Sequence, residues 1–130
     1  MKKVLLLLCS FLVLVLFSCN NRAARESNLK DLESNQNRLS QFKQDIEKLS
    51  SDIKNAQVDL EVAKDNLDNA KIPKFLRTPE EREDDIRNAT KAIQQIESTI
   101  TNANQKIIVL NDSVSQTETR ISNLKEVLKN

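Results

Sequence analysis

The chain has 130 residues, enough for one small domain, and its 20 basic and 19 acidic residues leave a net charge of +1. It contains no His, which excludes imidazole catalysis and most transition-metal sites, and no Gly, which excludes glycine-rich phosphate loops. The near-zero charge gives no electrostatic basis for binding nucleic acid. We therefore expect no catalytic residue, no metal, no cofactor and no nucleic-acid partner.

The N-terminal segment has the layout of a secretory signal peptide. Lys2 and Lys3 form a positively charged start, and residues 4–17 form an almost unbroken apolar run. The run is shorter than the roughly 20 apolar residues that a membrane-spanning helix needs. The sequence therefore predicts a cleaved signal peptide over residues 1–18.

The signal peptide ends in a motif that contains cysteine. Leu16-Phe17-Ser18-Cys19 resembles the lipobox of bacterial lipoproteins, whose last residue is the Cys that receives the lipid. The resemblance implies cleavage after Ser18, diacylglycerol on the Cys19 thiol and an acyl chain such as palmitate on the new amine. The protein would then be held on a membrane of the cell envelope. Asn20 in place of Asp implies the outer membrane, facing the periplasm, where the host has two membranes.

Residues 28–71 are predicted to form the first helix, after a polar tether over residues 19–27 in which Ser27 is the helix N-cap. Apolar residues recur every seven positions: Leu32, Leu39, Ile46, Ile53, Leu60 and Leu67. A second set lies three residues after each of these: Asn35, Phe42, Leu49, Ala56, Ala63 and Ala70. The alternating spacing of three and four is typical of a coiled-coil helix, in which both sets face a partner helix.

A turn bounded by prolines, residues 72–78, separates the two halves of the chain. Pro73 lacks a backbone donor and disfavours helix at the residue before it, so the first helix ends there. Thr78 and Glu81 then have the spacing of a capping box, and Pro79 suits the first position of the next helix.

Residues 79–129 are predicted to form the second helix, which repeats the pattern. Its two sets are Ile86, Ile93, Ile100, Ile107, Val114, Ile121 and Leu128, and Ala89, Ile96, Ala103, Leu110, Thr117 and Leu124. We call all these positions of both helices the seam. Because the linker is short, the chain returns alongside itself. The predicted fold is all-α: an antiparallel two-helix coiled-coil hairpin after an N-terminal lipoprotein signal peptide.

The sequence leaves the register of this hairpin open. The numbers of facing residues can add up to 149, which places Leu49 opposite Ile100, or to 156, which places Leu49 opposite Ile107. A repeat of seven fits both arrangements equally. The apolar stripe is little wider than the seam, so we expect a monomer or a weak homo-oligomer.

These features predict a lipid-anchored, non-enzymatic protein of the cell envelope that acts as a structural spacer or scaffold. The layout is similar to that of the murein lipoproteins, which are acylated coiled coils joined to the wall through a terminal Lys. Here Lys129 is followed by Asn130, so covalent attachment to the wall is not expected. The alternative is an accessory binding module that docks on an envelope protein complex through the hairpin tip, where Phe75 and Leu76 are the candidate contacts.

Overall fold

A computed structural model describes residues 2–73 and 77–129, with side chains described from Arg22 onward. Two helices make up this part of the chain: α1, Lys2–Lys71, and α2, Pro79–Lys129. No β-strand occurs among the described residues, and the two helices pack against each other as a hairpin. The prediction of an all-α fold built from two helices is therefore confirmed.

The helix ends beside the turn lie where the sequence predicts them, whereas the first helix extends further toward the N-terminus. α1 ends at Lys71, and α2 begins at Pro79, whose fixed φ suits a first helical position. At its other end α1 runs through residues 22–27, so Ser27 is not a helix boundary. This segment consists mainly of Ala, Arg and Glu, which are strong helix formers, and it therefore continues the helix instead of forming an extended tether.

The chain divides into two compact units. The terminal unit comprises Met1–Gln41 and Val114–Asn130, and the turn unit comprises Phe42–Ser113. Each unit therefore combines a piece of α1 with a piece of α2.

The two helices run antiparallel in the terminal unit. Nη2 of Arg25 donates a long hydrogen bond, 3.5 Å, to the carbonyl oxygen of Leu128. The contact joins the early part of α1 to the last turn of α2. A cation at this position also complements the negative end of the α2 dipole.

The seam positions are the ones that packing between the two helices shields from solvent. Within residues 28–71 and 86–129, every seam position is buried or half-buried. The best-covered residues are Asn35, Ala63, Ala70 and Ile121, each 8% exposed. No side chain in the described part of the chain is completely removed from solvent, because two helices alone cannot surround a residue. In the part of the chain with described side chains, the contact between the helices therefore encloses no core.

A shared groove determines the register of the turn unit. Residues 45–52 of α1 and 102–110 of α2 line this groove together. If the numbers of facing residues add up to 149, residues 97–104 lie opposite that part of α1. If they add up to 156, residues 104–111 lie there. The lining therefore selects the second of the two registers that the sequence left open.

Candidate functional site

Reciprocal hydrogen bonds cap the start of α2. The backbone N of Thr78 donates to Oε2 of Glu81 at 2.9 Å, and the backbone N of Glu81 donates to Oγ1 of Thr78 at 3.2 Å. The backbone N of Arg82 donates to the Thr78 carbonyl oxygen at 3.2 Å. The first two bonds confirm the predicted capping box and satisfy N–H groups that have no partner within the helix, and the third is the first hydrogen bond of α2 itself.

Two further features shape the described flanks of the turn. Arg77 and Asp85 form an ion pair that ties the residue before the cap to the second turn of α2. On the α1 side, the apolar side chain of Ile72 is 57% exposed. Arg77 and Thr78 are thus tied to α2 by polar contacts, and Ile72 is an exposed apolar residue just after the end of α1.

The side chains of the four predicted site residues fall outside the described part of the molecule. Phe75 and Leu76 lie between the described flanks of the turn, and the side chains of Ser18 and Cys19 precede the first described side chain. Their predicted roles in partner contact, cleavage and lipidation stay predictions.

A polar residue occupies a buried seam position in the terminal unit. Asn35 is 8% exposed, and its Nδ2 donates to the carbonyl oxygen of Asp31 at 2.7 Å. The bond stays within α1, so the amide is satisfied without holding the two helices together. On α2 of the same unit, the seam residue Ile121 is equally covered.

The groove of the turn unit is a feature that the sequence pattern does not predict. It has a volume of about 780 Å³, and its apolar lining is formed by Leu49, Val109 and Leu110. Lys48, Asp52 and Lys106 are among the charged residues along its edges. Val109 is 64% exposed although its side chain is aliphatic. The sequence does show an aliphatic residue outside the seam, because Val109 lies two positions after Ile107. The residues that line the groove with it could not be predicted, because they depend on the register.

The described residues contain no group of three or more His, Cys, Asp and Glu side chains placed to hold a metal ion. A stretch of helix long and apolar enough to cross a membrane is likewise not found where side chains are described. No protein-family model, curated protein or solved structure matches the chain.

Proposed function

We propose that the protein is a lipid-anchored, non-enzymatic coiled-coil lipoprotein of the bacterial cell envelope that acts as a structural spacer or scaffold. The proposal for its anchor rests on the positively charged start, the apolar run and Leu16-Phe17-Ser18-Cys19. The proposed spacer role rests on the side chains that the two helices cover where they pack together.

The observation that carries the spacer role is the coverage of the seam. Every seam position is buried or half-buried along the described length of both helices. The alternating spacing of three and four is the pattern of helices that wind around each other as a coiled coil. The 51 residues of α2 have a contour of about 75 Å at 1.5 Å per residue. A paired helix of that length is suited to holding two layers apart.

The lipid on Cys19 supplies the attachment in this proposal. Each buried CH₂ group contributes about 0.8 kcal/mol, and stable anchoring requires more than one acyl chain. A diacylglycerol on the thiol and an acyl chain on the amine provide three. The protein then stays on one membrane, the outer membrane facing the periplasm in a host with two membranes.

Metabolic labelling tests the anchor directly. Cells that express the full chain are fed an alkyne analogue of palmitate, and the purified protein is examined for the label. We expect labelling to be lost in Cys19→Ala and kept in Cys9→Ala, which removes the other Cys but leaves the motif intact. Equal labelling of both variants would contradict the proposal that Cys19 carries the lipid.

A second candidate function is an accessory binding module that docks on an envelope protein complex through the tip. The observation that favours it is the 57% exposure of Ile72 beside the turn. Photo-reactive residues placed at Phe75 identify a docked protein by mass spectrometry. Capture of one envelope protein, with loss of function in Phe75→Ala and Leu76→Ala but unchanged helicity, favours docking. Capture of lipid or wall material alone favours the spacer.

A further inference from the structure

The groove of the turn unit leaves apolar surface uncovered on one side of the hairpin. Leu49 and Leu110 belong to the seam and are only half-buried, and Val109 beside them is 64% exposed. Burial of such side chains is favourable in proportion to the apolar area removed from water. The groove is therefore a surface on which a further helix can pack.

The charges along the groove are divided between the two helices. The α1 residues that line the groove and lie immediately before seam residues are Asp45, Lys48 and Asp52, and on α2 the one charged lining residue is Lys106. The α1 side of the groove, with two carboxylates and one ammonium group, is therefore acidic in net charge, and the α2 side is basic. A surface with this division is complementary to itself when α1 meets α2 of another molecule.

We propose that this groove packs against the same groove of a second copy of the chain, around a two-fold axis parallel to the helices. Such an axis places α1 of one copy on α2 of the other, and the contact occurs twice by symmetry. Asp52 then lies beside Lys106 of the second copy. Val109 packs on the aliphatic stem of Lys48 of the second copy, whose ammonium group stays in water.

The charge pattern disfavours the other two-fold arrangement. An axis perpendicular to the helices would set α1 against α1 and bring Asp45 near Asp52 of the second copy. Like charges placed together across an interface oppose association. The pairing of α1 with α2 is therefore the arrangement that the groove supports.

Sedimentation equilibrium of the full chain in density-matched detergent micelles tests this interface. At about 0.1 mM a dimer with a micromolar Kd is almost complete. We expect Val109→Arg to weaken the dimer at least tenfold, because it places a charge on the apolar lining. Ile108→Arg is the matched control, since Ile108 is the preceding residue and is 63% exposed but does not line the groove. We expect that variant to dimerise like the unmodified chain.

A charge exchange tests the pairing of the helices. Asp52→Lys and Lys106→Asp should each weaken self-association, while an equal mixture of the two variants should form the heterodimer. The double variant Asp52→Lys with Lys106→Asp should dimerise again. Any of three results would overturn the proposal. The unmodified chain could be monomeric, Val109→Arg and Ile108→Arg could weaken the dimer equally, or the double variant could dimerise no more strongly than the single variants.

Discussion

The terminal unit and the turn unit share one seven-residue repeat but place different residues in it. In the terminal unit the buried seam positions are Asn35 and Ile121, and in the turn unit they are Ala63 and Ala70. The repeat thus determines which face is covered in both units. The kind of side chain on that face determines how strongly each unit is held together.

The hydrogen bond of Asn35 shows why the two units should differ in stability. Burying an amide is unfavourable unless it is hydrogen-bonded, and here the partner is the Asp31 carbonyl oxygen of the same helix. The bond removes the penalty but adds no attraction between α1 and α2. The turn unit has a predominantly aliphatic and alanine seam and a hydrogen-bonded cap at Thr78. We therefore expect the terminal unit to open first.

Ile121→Ala should increase the difference in stability between the two units most, because it weakens the terminal unit. Removing a covered aliphatic side chain typically destabilises a protein by about 2–5 kcal/mol, and we expect the lower end because the seam is partly open to solvent. Amide hydrogen exchange should rise in residues 22–41 and 114–129 and stay unchanged in the turn unit. Val127→Ala, at a position 59% exposed on the same helix, is the control and should have little effect. Uniform loss of protection across both units would show that they do not open separately.

Asn35→Leu should reduce the difference in stability between the two units, because it strengthens the terminal unit. Leu adds apolar area to this buried seam position, so the terminal unit should gain about 1–2 kcal/mol. The gain is measured as slower hydrogen exchange in residues 22–41. Gln36→Leu, at the exposed neighbouring position, should leave the exchange rates nearly unchanged. A destabilised Asn35→Leu variant would mean that the amide contributes to packing between the helices.

Thr78→Ala should weaken the turn unit by about 1 kcal/mol, because it removes the oxygen that accepts from the backbone N of Glu81. The midpoint of urea unfolding measures the change, and Thr78→Ser should restore most of it. Thr90→Ala is the matched control, since the Thr90 hydroxyl donates to the Ile86 carbonyl oxygen within α2 and caps nothing. A similar loss in both threonine variants would argue against a capping contribution.

Local chemistry made much of the fold predictable. Proline geometry located the helix ends beside the turn, and the Thr78–Glu81 spacing predicted the capping box. The seam residues were predictable because their spacing determines one helical face. The register was not, because a repeat of seven is unchanged by a shift of seven. The groove around Val109 depends on that register and was missed for the same reason.

The extent of α1 shows a different limit of sequence reasoning. Ser27 has the right chemistry for an N-cap, but a cap forms only where the preceding residues leave the helix. The Ala, Arg and Glu residues at 22–26 favour helix, and α1 continues through them. Signals for starting a helix therefore have to be weighed against the propensity of the residues before them.

Matched heptad deletion tests the spacer role most directly. Removing residues 53–59 together with residues 97–103 preserves the selected register and shortens the paired helices by about 10 Å. Duplicating the same segments lengthens them by the same amount, and circular dichroism verifies that helicity is kept. Cryo-electron tomography of the source cells then measures the separation of the envelope layers. If the protein is a spacer, we expect this separation to fall with the deletion and to rise with the duplication. An unchanged separation in both variants would contradict the spacer role.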